Sequence, residues 1–256
     1  MNIASYLRKL TVVAAALAAT GLGLAAVAPA APTITVKARA VPIPGVPGTG
    51  NILGAGTAVQ GEVAISGTEY GGAPPPLTGL EIFTPAGVKL DSRGFATCTR
   101  ITLEQGGAAA CPRRSSAGAK GSATGVVSFG DERVPETASL QVFFASSGEL
   151  LGFIDGVSPV LIEMIAGVHE TSAPPPFGLE FSGTVPLIET VPGALDASTV
   201  RGELMIGAAY RQGKRTVSYI TLPSRCPKGG LHGKLRFAFL GGATAEAPTE
   251  MPCPRS

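Results

Sequence analysis

The sequence predicts an all-β fold: an antiparallel β-sandwich of about a dozen short strands, disulfide-stapled, after a signal peptide and a Pro/Gly-rich linker. Three observations carry that prediction. Apolar and β-branched runs of strand length recur between turn residues, and no helical period sustains itself beyond a turn or two. The 35 glycines and 22 prolines supply turn chemistry throughout the chain. Four cysteines, an even set, follow a leader that directs the chain out of the cytoplasm.

The leader occupies residues 1–30. Arg8 and Lys9 precede an apolar run, 10–27, that ends in Ala28-Pro29-Ala30, the layout of a secretory signal peptide. Thr11, Thr20, Gly21 and Gly23 interrupt the run, which makes it a poor permanent anchor. Residues 31–57, with Pro42, Pro44 and Pro47 and no amphipathic period, read as an extended linker. Residues 58–256 then form the β-sandwich domain, with two β lobes, about 58–165 and 166–256, as the alternative. An echo of Ala73-Pro-Pro-Pro-Leu77 in Ala173-Pro-Pro-Pro-Phe177 is the basis for that alternative.

Strands are expected at 59–65, 79–83, 97–103, 123–129, 138–144, 150–154, 178–181, 184–189 and 233–239. The continuous apolar run 159–165 fits a buried strand or a short helix, and its flanking residues favour the strand. Runs 200–210 and 216–222 flank the polar turn Arg211-Gln-Gly-Lys-Arg215 and predict a hairpin.

An even number of cysteines in an exported chain predicts two disulfides. Three pairings are possible; Cys98 with Cys111 and Cys226 with Cys253 are favoured because each closes a local loop beside proline and glycine. There is no C-x-x-C, and the only histidines are His169 and His232, so no metal site and no cofactor are expected. Lys and Arg number 20 against 18 Asp and Glu. Arg8 and Lys9 belong to the leader, so the rest of the chain is formally neutral and carries no overall signal for nucleic acid. No second apolar stretch after the leader is long enough to span a bilayer. With no Trp and four Tyr, the chain also lacks the aromatic platforms common in sugar-binding modules.

The segments Tyr70-Gly-Gly-Ala-Pro-Pro-Pro-Leu77, Gly94-Phe95, Cys111-Pro112, Val191-Pro-Gly193 and Cys226-Pro-Lys-Gly-Gly-Leu231 resemble a group of exported proteins from high-GC soil actinobacteria. The resemblance covers most of residues 31–256. It implies export and paired cysteines, and it transfers no catalytic residue.

No G-x-S-x-G pentapeptide occurs, so an α/β-hydrolase nucleophile elbow is excluded. A triad assembled from distant residues would have to use His169 or His232. The segment Gly207-Ala-Ala-Tyr-Arg-Gln-Gly213-Lys214-Arg215 has phosphate-loop composition. Its spacing is one residue too long, it has Arg215 where Ser or Thr is needed, and it lies in a hairpin. Asp131, Glu132, Asp155, Glu163 and Glu180 are carboxylates from which an acid–base pair could be drawn, and as strand-end charges they read as solvated turns. The one constellation that points to a ligand is basic. Arg113, Arg114, Lys120, Arg225, Lys228, Lys234, Arg236 and Arg255 lie near the cysteine loops in sequence, and convergence of those loops would build a positive rim.

The expectation is a non-catalytic, exported binding or structural module, extracellular or envelope-associated. Its expected partner is an anionic cell-envelope polymer or another exported protein. The alternatives are a secreted hydrolase with a non-local histidine site and a carrier of an apolar ligand.

Overall fold

The computed structural model describes residues 31–254 apart from 130, 147, 160, 190, 191 and 193. The predicted signal peptide, Arg255, and Val191 and Gly193 lie outside the described residues. Fifteen strands follow in order: β1 Thr33–Val41, β2 Gly56–Ser66, β3 Leu77–Pro85, β4 Lys89–Leu90, β5 Gly118–Phe129, β6 Glu132–Phe144, β7 Leu150–Ser158, β8 Glu163–Ser172, β9 Phe177–Thr184, β10 Ser198–Ile206, β11 Ala209–Gln212, β12 Arg215–Ser218, β13 Ile220–Thr221, β14 Leu231–Phe239 and β15 Thr244–Met251. One helix, α1 Arg100–Gly106, and a short 3-10 turn precede β5.

Thirteen strands form a single antiparallel sheet in the order β15-β14-β3-β9-β8-β7-β6-β5-β10-β2. β1 lies on the other edge of β2, and β13 and β4 continue beside the first residues of β2. Strands from residues 58–165 and 166–256 interleave: β3 sits between β14 and β9, and β10 between β5 and β2. The sheet folds over on itself. Ile65 of β2 shares a buried cluster with Phe237 and Phe239 of β14, eight places away in the strand order, and β1 comes alongside β15. The sandwich thus draws both layers from one sheet.

The stretch read as a linker is corrected by β1. Thr33-Ile-Thr-Val-Lys-Ala-Arg-Ala-Val41 alternates exposed polar and half-buried apolar positions and pairs along its whole length with β2, Thr33 opposite Ser66 and Val41 opposite Ala58. That period of two is the mark of a strand with one buried face; Pro32 precedes the strand, and Pro42, Pro44 and Pro47 lie in the turn that follows. Run 97–103 is also corrected, because it holds α1. Thr99 caps the helix, accepting a hydrogen bond from the Thr102 N–H at 3.1 Å, and Gly107 ends it at φ 62°. In run 159–165 the strand begins only at Glu163, and in run 184–189 it ends at Thr184.

Alternation sorts the core onto two faces of the sheet. Val142, Phe144 and Leu150 face inward with Phe181, Tyr219 and Ile220. Their neighbours Phe143, Leu151 and Phe153 face outward with Ile165, where Leu103 of α1 covers them. The Cys98–Cys111 disulfide holds that cover in place, and the Cys98 N–H donates to the Phe144 carbonyl at 2.8 Å. The second disulfide, Cys226–Cys253, ties the segment before β14 to the end of β15. Both pairings match the expectation from sequence.

The antiparallel register gives the molecule two rims. The β2–β3, β5–β6, β7–β8, β9–β10 and β14–β15 connections form an upper rim. The β1–β2, β6–β7 and β8–β9 turns form the lower rim, together with α1's entry segment, the β11–β12 hairpin and the Cys226 loop. No helix among the described residues is long and apolar enough to cross a membrane.

Candidate functional site

The lower rim carries the clearest concentration of charge. β11 and β12 pair with Gln212 opposite Arg215, so Gly213 and Lys214 form a two-residue turn, and Arg211, Lys214 and Arg215 are exposed around it. Two further arginines approach from the Cys111 side. The Arg114 guanidinium lies 5.8 Å from the centre of the Tyr210 ring, a cation–π distance, and Arg113 precedes it on the surface. Among the described residues none of these five cations makes an ion pair.

The hairpin is fixed to the core by a chain of rings. Tyr210 meets Phe95 edge-on at 4.9 Å, Phe95 lies 4.7 Å from Phe144, and Phe144 meets Tyr219 edge-on at 4.8 Å. Phe144 and Tyr219 are buried, so the chain runs from the interior to the base of the hairpin. The Tyr210 hydroxyl donates to the Arg93 carbonyl at 3.1 Å. Gly94 (φ +79°) lies against it, where a β-carbon would collide with the same hydroxyl. The positive charges are therefore presented on a hairpin whose first strand is held by packing.

The eight basic residues singled out from sequence do not form one patch. Arg114 meets the hairpin at Tyr210, with Arg113 exposed next to it in the chain. Arg225 and Lys228 are exposed on the Cys226 loop, beside the cluster of Leu222, Leu231 and Met251 under β14 and β15. The Cys98–Cys111 unit packs instead against β6, β7 and β8, on the other side of the strand order. Lys120 is exposed on β5. Lys234 pairs with Glu246 at 3.2 Å and lies over the Phe83 ring, and Arg236 pairs with Glu81 and Glu246, both at 3.4 Å. Arg211, Lys214 and Arg215 were missed as site residues, although the predicted hairpin already placed three cations on one tight turn.

Among the described residues, unpaired cations concentrate on the hairpin and the Cys226 loop. Glu69, Asp131, Glu132 and Asp196 lie on the upper rim, with Arg133 beside them, whereas the lower rim holds the basic hairpin, Arg225 and Lys228. Residues 31–256, with 18 Lys and Arg against 18 Asp and Glu, thus present a basic hairpin on a rim that also carries Asp91, Glu149, Glu170 and Glu250.

The histidines sit apart from this site. His169 lies opposite Ser182 in the β8–β9 register, with its Nε2 3.6 Å from the Glu149 carboxylate. Ser182, His169 and Glu149 follow one another across the outer wall, beside a groove of about 480 Å³ that also includes Glu81 and Arg236. Among the described residues Ser182 donates no hydrogen bond to His169. The adjoining backbone lies within the strand ladder and offers no oxyanion donors. His232, on β14, has its Nδ1 3.7 Å from Glu250 and is exposed. Of the carboxylates considered, Asp155 and Glu163 face each other across β7 and β8, Asp131 and Glu132 lie at the β5–β6 turn, and Glu180 is on β9 opposite Phe83. None of the five lines either cavity described here.

A second cavity, of about 230 Å³, opens inside the lower rim between the β6–β7 turn, β8 and Tyr219. Glu170 and Glu149 line it with Ser92, Thr97 and Ser146, over a floor of Phe144 and Leu150. Partial burial raises the Glu170 pKa above the ordinary carboxylate value. The folded protein then holds a proton that the unfolded chain releases, so this group's contribution to stability falls as pH rises through that window. Glu170→Gln is accordingly expected to melt slightly above the wild type at pH 7, with the advantage disappearing on acidification to pH 4. Thermal unfolding at the two pH values measures it, and an equal advantage at both would contradict it.

No protein-family profile, curated protein or solved structure matches this chain. The fold and site define it as a disulfide-stapled all-β protein with a basic hairpin on one rim.

Proposed function

We propose that this is an exported, non-catalytic binding protein of the extracellular space or cell envelope, and that the basic hairpin of its lower rim holds an anionic envelope polymer. The observation that carries this reading is the unneutralised group Arg211, Lys214 and Arg215, on a hairpin anchored through Tyr210, where Arg114 meets it with Arg113 next in the chain. A fixed cluster of unpaired cations attracts extended polyanions, and arginine suits sulfate, phosphate and carboxylate groups. Export is supported by the sequence of residues 1–30, by the resemblance to exported actinobacterial proteins, and by two disulfides, which belong to oxidising compartments. The sparse aromatic residues around the cations disfavour single-stranded nucleic acid as the ligand.

The test replaces Arg211, Lys214 and Arg215 by serine together and measures retention on dextran sulfate against unmodified dextran. Retention of the variant on dextran sulfate is expected to weaken roughly tenfold or more, with an unchanged melting temperature. Equal retention of variant and wild type would remove the hairpin from the reading.

A further inference from the structure

We propose that the cavity beside Tyr219 is a binding site for a primary ammonium group. Tyr219 is only 3% exposed, and among the described residues its hydroxyl makes no hydrogen bond, although it borders a cavity open to solvent. A buried hydroxyl in a native core normally has a partner, so one left facing a cavity marks a place for a ligand atom. Glu170 lines the same cavity and, among the described residues, pairs with no cation. Glu170 and Tyr219 thus border one and the same cavity.

The lining selects the ligand. The carboxylate of Glu170 disfavours an anion. A neutral polyol would satisfy Tyr219 and the hydroxyls of Ser92 and Thr97 but gain nothing from the charge of Glu170, an exposed residue at the cavity. A bare metal ion needs a larger donor set, and no group of three His, Cys, Asp or Glu gathers among the described residues. An ammonium group meets every requirement. Its N–H donors serve Glu170 and the Tyr219 oxygen, and its charge lies beside the rings of Phe144 and Tyr219. The site is independent of the basic hairpin: it faces inward from the same rim and carries the opposite charge.

The test titrates residues 31–256 with cadaverine, pentane-1,5-diol and glutarate at constant ionic strength while recording amide spectra. Cadaverine alone is expected to give saturable shifts at Thr97, Gly148 and Glu149. Glu170→Gln is expected to weaken it about tenfold, the loss expected for one hydrogen bond to a charged group. Tyr219→Phe, which keeps the ring, is expected to weaken it severalfold without changing the melting temperature. Glucosamine and the peptide Gly-Lys-Gly, run as further arms, tell whether the ammonium is better accepted on a sugar or on a lysine side chain, and saturation by either supports the site. Equal saturation by the diol would overturn the ammonium assignment. Shifts confined to Glu69 and Asp131 on the upper rim, no shifts, or unaltered affinity in Glu170→Gln would overturn the site.

Discussion

Phe144→Ala is expected to lower the free energy of unfolding by about 3–5 kcal/mol, the usual range for removing a fully buried phenylalanine. Phe144 is 2% exposed and stands where the inward core and the route to the surface meet. It packs with Tyr219 on one side and Phe95 on the other, within the cluster of Val142, Leu150, Phe181 and Ile220. Its backbone also receives α1's entry segment, through the N–H of Cys98, and bonds to the Ser115 carbonyl. The side chain contributes only the ring contacts, so the backbone bonds survive and the cavity left behind sets the loss. Urea unfolding monitored by circular dichroism measures it, and a loss below about 1 kcal/mol, the low end for core truncation, would contradict this account of the core. Because Phe95 and Tyr210 then lose their inner support, the same variant should bind dextran sulfate more weakly even well below its melting temperature.

The second large effect concerns the disulfides. In the chain-entropy account, removing the Cys98–Cys111 link costs about 3 kcal/mol and removing Cys226–Cys253, which closes a longer loop, slightly more. The surroundings reverse that order. Cys98 is 1% exposed and holds α1 over Phe143, Leu151, Phe153 and Ile165, whereas Cys226 is exposed. Cys98→Ser with Cys111→Ser therefore frees an apolar wall as well as a loop and also puts a hydroxyl into a buried site. The Cys98/Cys111 double variant is expected to be the less stable of the two double serine variants in urea unfolding. The opposite order would mean that loop entropy alone decides.

Much of this architecture was legible from residues. Alternating apolar runs such as 59–65, 138–144 and 233–239 fall inside β2, β6 and β14, because a half-buried strand must repeat every second residue. The disulfide pairing followed from loop closure beside proline. β1 was hidden because the prolines of the following turn dominated the composition of 31–57, although Thr33-Ile-Thr-Val already alternated. β15 escaped because Pro248 sits within it, at the outer end of the hydrogen-bonded strand order, where a missing donor is tolerated. α1 was hidden because its seven residues carry little period and begin inside an apolar run of strand length. The basic site was half legible. Arg113 and Arg114 were visible as a cluster, but their union with Arg211, Lys214 and Arg215 depends on the contact between Arg114 and Tyr210, which is remote in sequence.

The most direct test of the central claim is the salt dependence of dextran sulfate binding by residues 31–256, compared between the wild type and the Arg211/Lys214/Arg215 serine variant. The account predicts that wild-type affinity falls steeply as salt rises, because ions are displaced where fixed cations meet a polyanion, and that the variant's dependence is shallower by roughly two to three in the log–log slope. Equal slopes, or binding indifferent to salt, would contradict it.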